Sequence, residues 1–119
     1  MFGSNEGSMG EQMSENEIGF RFELDATIRI YASARDALPR GPFDGMQPSF
    51  NFGRYLAACR VHLWEGESMP FDTDTEVGIE VAYSVAVHRE LEEGSRFQLN
   101  FGGTVLGHGT VSAIRRPGR

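Results

Sequence analysis

Three groupings of residues in this chain have types and spacings that bear on chemistry. Cys59 and His62 stand at the interval of half a zinc site, Asp72, Asp74 and Glu76 alternate like the opening of a calcium loop, and Glu90, Glu92 and Glu93 crowd carboxylates of the kind that form acid and base pairs. Each meets a physical objection. On an extended strand, positions three apart point to opposite faces, so Cys59 and His62 cannot share a metal. The calcium pattern lacks its central glycine and carries Tyr83 where the twelfth-position glutamate should stand, so a solvated acidic loop is expected. Nothing beside Glu90, Glu92 and Glu93 supplies the desolvation that would separate their proton affinities, and they read as exposed turn residues. His62, His88 and His108 fall in separate elements and read as surface histidines. The chain has no lysine, which excludes Schiff-base chemistry and the phosphate-binding lysine of a P-loop. Gly102, Gly103, Gly107 and Gly109 neither precede a GK[ST] nor stand between a strand and a helix, so no nucleotide site is expected. No catalytic residue, metal or cofactor is therefore expected.

The elements that carry these residues read as six strands. Ile18, Phe20, Phe22, Leu24, Ala26, Ile28 and Ile30 alternate with polar residues and mark the longest of them. A loop rich in Gly, Pro and Asp runs over 34–48, long enough to be an interaction feature. A short strand follows over 49–52, and a third over about 57–64 with Cys59, Val61 and Leu63 inward. An acidic loop over 65–76 leads to a fourth, where Val77, Ile79, Val81, Tyr83, Val85 and Val87 alternate. Phe97, Leu99 and Phe101, then Val105, Val111 and Ala113, give the inward positions of the last two strands. These are joined at Gly102-Gly103, a pair suited to the positive φ of a tight hairpin. Gly107 and Gly109 inside the final strand signal a bulge or a close backbone approach. Short strands separated by turn signals favour a closed barrel or a sandwich.

With 119 residues the chain holds one domain with one core. No apolar run approaches the roughly 20 residues of a membrane-spanning helix, and the first twenty residues lack the features of a secretory signal. A single cysteine, Cys59, rules out an internal disulfide and fits a reducing compartment, so a cytoplasmic location is expected. Residues 1–17 hold four of the 17 acids and no base, among Gly, Ser and Asn, and are expected to form a flexible acidic tail. The barrel domain spans 18–115, and 116–119 form a short basic tail.

Two blocks carry a resemblance. From Gly94 onward, Gly94, Arg96, Phe97, Gly102, Gly103, Gly107 and Gly109 fall without a gap on a pattern of glycine, any residue, arginine, phenylalanine, a glycine pair and a G-x-G before a valine-rich strand. Upstream, residues 43–52 (FDGMQPSFNF) are similar to F-x-G-x-R-P-x-F-x-F. Together, over about residues 20–115, they resemble the C-terminal β-barrel domain of translation elongation factor Tu. The resemblance implies an all-β fold, a six-stranded antiparallel closed barrel.

The resemblance also bounds function. In that family GTP hydrolysis belongs to a separate domain, so none is expected here. What the third domain does there is bind: the T-stem of aminoacyl-tRNA, a nucleotide-exchange factor and the GTPase domain. The tRNA-contact positions mostly depart. The family's arginine-histidine pair falls on Leu38 and Pro39, its glutamine on Ser49, its threonine on Ala58, its lysine on Val87 and its glutamate on Phe101; Gly102 alone matches, and Gln47 replaces the first block's arginine. Phosphate binding needs clustered cations, whereas the arginines here are scattered and the net charge is -6. Arg54, Arg60 and Arg96 offer at most a small patch, with Arg96 expected to pair with Glu92 or Glu93. The expectation is a non-catalytic module that binds a protein partner or self-associates, with Met46, Gln47, Arg54, Tyr55, Phe101 and Gly102 as its contact residues. An RNA-binding accessory factor of translation is the alternative, and no membrane or GTP binding is expected.

Overall fold

The computed structural model describes residues 21–82 and 89–115. The two expected tails (1–17 and 116–119), Ile18 and Phe20, and the stretch from Tyr83 to His88 lie outside those residues. Six strands form the wall: β1 (Arg21–Ile30), β2 (Ser49–Phe52), β3 (Tyr55–Leu63), β4 (Thr75–Ala82), β5 (Arg96–Phe101) and β6 (Thr104–Arg115). They close in the order β1-β4-β3-β2-β5-β6, and β6 returns to β1. Every pairing is antiparallel. Among the described strands, closure leaves none at a sheet edge. Apart from a 3-10 turn at Ala32–Ala34 and a helical pair at Arg89 and Glu90, the described chain is strand and loop.

Alternation builds the core. Phe22, Leu24, Ala26, Ile28 and Ile30 of β1 are at most 1% exposed, and Val61, Val77, Ile79, Val81 and Leu99 close over them from the other strands. Removing these side chains from water is the main force that holds the wall shut.

The last strand departs from simple alternation. Leu99 pairs with Gly107 but Asn100 with Val105, so β6 bulges at Leu106. Val105, expected inward, turns out to 38% exposure, and Leu106 takes its place in the core. A second irregularity, between Asp25 and Ala26, opposes Ala113 to Asp25 and Val111 to Ala26. Val111 is buried, and Ile114 rather than Ala113 packs against the core. At the β5–β6 hairpin only Gly102 has positive φ, 55°.

Two rims result. One carries the Gly102-Gly103 turn with the segments 31–48 and 64–74; the other carries the Gly53-Arg54 turn and the residues leading into β5. The segment 31–48 is stitched to β3. Asp44 Oδ1 accepts a hydrogen bond from the Leu63 amide at 2.8 Å, the Gly45 amide donates to the Val61 carbonyl at 2.7 Å and the Val61 amide donates to the Met46 carbonyl at 2.9 Å. Residues 64–74 are tied to the end of β1, where Arg29 Nε meets Asp74 Oδ1 at 2.9 Å and Arg29 Nη1 donates to the Asp72 carbonyl at 2.9 Å.

Candidate interaction site

The stitched segments enclose a groove of about 750 Å³ at the first rim, lined among others by Leu38, Pro39, Arg40, Phe43, Glu67 and Phe101. Three causes bring these residues together. Ala32–Ala34 turns the chain sharply after β1, and Leu38 is anchored beneath by its amide on the Ala34 and Arg35 carbonyls. Phe43 pairs across to Ser68, which fixes the groove's far wall. Phe101, last in β5, leans partly into the core and leaves the rest of its ring on the rim. The floor is apolar and the rim carries one arginine and one glutamate, a composition suited to apolar side chains of a partner. Phe43 stands 44% exposed, unusual for so large an apolar side chain beside a pocket.

The six expected contact residues do not converge here. Phe101 lines the groove and Gly102 is the exposed turn beside it. Met46 is not a surface residue: hydrogen bonding on both sides of Val61 turns its side chain inward, where it is 1% exposed and out of a partner's reach. Gln47 is exposed on the outer wall, in a small hollow with Arg60 and Glu80. Arg54 and Tyr55 sit at the other rim, with the Arg54 guanidinium 5.5 Å from the Tyr55 ring and the Tyr55 hydroxyl donating to Glu90 at 3.2 Å. Phe43 was absent from the expected set although it opens the FDGMQPSFNF block. An aromatic residue inside a Gly- and Pro-rich loop was its available signal.

The residues whose types and spacing suggest chemistry are arranged otherwise. Cys59 faces the core, its thiol donating to the Pro48 carbonyl at 3.3 Å, and burial pushes its pKa up to about 12. His62 faces outward with Nε2 3.6 Å from Glu80. Asp72 accepts a hydrogen bond from the Ala32 amide at 3.0 Å, and Asp74 holds Arg29, whose pKa it raises by hydrogen bonding and charge. These acids act as loop staples. Arg96 forms no ion pair with Glu92 or Glu93; Ser95 and Glu92 instead close their own turn through the Ser95 hydroxyl and amide. Among the described residues no three His, Cys, Asp or Glu stand close enough to hold a metal ion, and no helix is long and apolar enough to cross a membrane. No protein-family model matches the chain.

Proposed function

We propose that this barrel is a non-catalytic binding module that docks a protein partner through the rim groove of Pro39, Phe43 and Phe101, which the buried Leu38 supports from beneath. The observation that carries the reading is the groove itself, an apolar cleft of about 750 Å³ bordered by an exposed phenylalanine. The resemblance to the third domain of elongation factor Tu adds support of a particular kind. Of the positions aligned with that family's polar tRNA contacts, Pro39 and Phe101 border one groove here, Leu38 lies buried beneath it, and all three are apolar. A surface changed in that direction suits a protein better than a phosphate backbone. The partner class proposed is a cytoplasmic translation component of the kind that recognises elongation factor Tu, its nucleotide-exchange factor being the first to test.

Calorimetric titration of the purified protein with that exchange factor should show binding in the wild type that Phe101→Glu and Phe43→Glu both remove. Phe43 is exposed, so the circular dichroism melting of Phe43→Glu should move little and separates lost docking from lost folding; Phe101 also packs against the core, so its variant is titrated well below its own melting temperature. No heat of binding to the exchange factor, together with an affinity capture that is the same for wild type and both variants, would sink the reading.

A further inference from the structure

Trp64, the only tryptophan in the chain, follows β3 and lies across the outside of β4. An added Cβ on Gly78 would stand 2.6 Å from Trp64 Cζ2 and 2.7 Å from Cη2, so the glycine is what lets the ring lie down. Its neighbours along the outward face of β4 are Glu76 and Glu80. Although seated on the wall, the indole remains 55% exposed.

One side of this ring shows how the site treats a guanidinium. Arg115 lies 5.8 Å from the ring centroid, with Nη2 2.8 Å from Asp25 and Nη1 3.5 Å from Glu23. The ring also borders a cleft of about 610 Å³, lined by Leu63, Glu65, Pro70, Asp74 and Glu76 among others. Asp74 is occupied by Arg29, but Glu65 and Glu76 form no ion pair with any described residue. Among the described residues, the cleft therefore repeats the ingredients beside Arg115, indole surface and carboxylates, without the cation.

We propose that the Trp64 cleft docks an arginine-bearing segment of a protein partner, its guanidinium against the indole and hydrogen-bonded to Glu76 and Glu65. A planar guanidinium stacks on an aromatic face and bonds carboxylates with two donors at once, which an ammonium cannot reproduce. A phosphate backbone meets only repulsion from these acids. Arg60 stands opposite Glu80 in the ladder, and Glu76 forms no ion pair with any described residue.

The test uses the full chain and a glycine-arginine repeat peptide without aromatic residues, read by the emission of Trp64. Lysine and glutamate versions of the peptide serve as comparisons. The arginine peptide should give a saturable, salt-sensitive change, the lysine peptide a weaker one and the glutamate peptide none. Glu76→Gln should weaken binding roughly threefold, as expected for an exposed ion pair. Trp64→Leu, followed by anisotropy of labelled peptide, should weaken it roughly fivefold, with unchanged melting showing an intact fold. Equal response to lysine and arginine that Glu76→Gln leaves untouched would overturn the proposal. So would no response at all, or emission that varies with protein concentration alone, since a second copy would then be the occupant.

Discussion

The α-carbon of Gly107 packs directly against the backbone carbonyl of Arg29. A Cβ there would collide with that oxygen and stand 2.9 Å from the Ile30 α-carbon. The contact sits in the β1–β6 ladder, next to the bulge that turns Leu106 inward, so it fixes both closure of the barrel and the register of its last strand. Backbone cannot swing aside as a side chain end can. Gly107→Ala should therefore cost about 3 kcal/mol, the upper range for overpacking. Gly103 meets nothing within 4 Å and lacks positive φ, so Gly103→Ala should stay within about 0.5 kcal/mol of wild type. Paired thermal melts decide it, and similar losses in both variants would refute the account of Gly107.

Asp72 is the one described non-glycine residue with positive φ, at 56°. It is held there because its amide donates to the Ile30 carbonyl at 2.7 Å while its carboxylate accepts from the Ala32 amide. Asparagine tolerates that conformation and keeps an acceptor, glycine keeps only the conformation, and alanine keeps neither. Stability should fall in the order Asn, Gly, Ala, with Asp72→Ala about 1–2 kcal/mol below wild type by chemical denaturation. An alanine variant as stable as wild type would show that the loop is held by other contacts.

How far the sequence reached is visible in particular residues. Alternation in β1 is plain because every second residue from Phe22 to Ile30 is apolar, and the extra residue at the Asp25/Ala26 irregularity lies on β6, at Ser112. In β6 the same rule misassigned Val105, since one extra residue at the bulge exchanges the faces. Met46 read as a loop residue because only the ladder to Val61, a contact distant in sequence, carries it into the core. The groove was illegible for the same reason: Leu38, Phe43, Glu67 and Phe101 come from three separate segments, and no local pattern records their meeting. The glycines at 94, 102, 107 and 109 were legible as a set. The structure gives each a local cause, positive φ at the first two and crowding by Arg29 and Phe97 at the others.

Cys59 gives a prediction in pH. Its pKa is raised by burial from 9.0 to about 12, so the folded state disfavours the thiolate. A raised folded value means that the contribution is fully present below pH 9, and is lost as pH rises from there toward about 12. Denaturant midpoints should decline across that window, and less steeply in Cys59→Ala than in wild type. At neutral pH an aromatic disulfide reagent should label the thiol only after guanidinium unfolding. Stoichiometric labelling of the native protein would contradict the burial.

The cations described here are mostly engaged or apart. Arg29 is held by Asp74, Arg115 by Asp25 and Glu23, and Arg60 stands opposite Glu80. Arg54 occupies the far rim, while the groove rim balances Arg40 against Glu67. Nucleic-acid affinity comes from several phosphates neutralised together, and its logarithm falls steeply with the logarithm of salt. With a net charge of -6 and this dispersal, filter binding at about 50 mM salt should retain no tRNA. Phe101→Glu should not create retention, because one carboxylate adds charge of the wrong sign without gathering arginines. Salt-sensitive retention of tRNA by the wild type would reverse the choice of partner and make the rim an RNA surface.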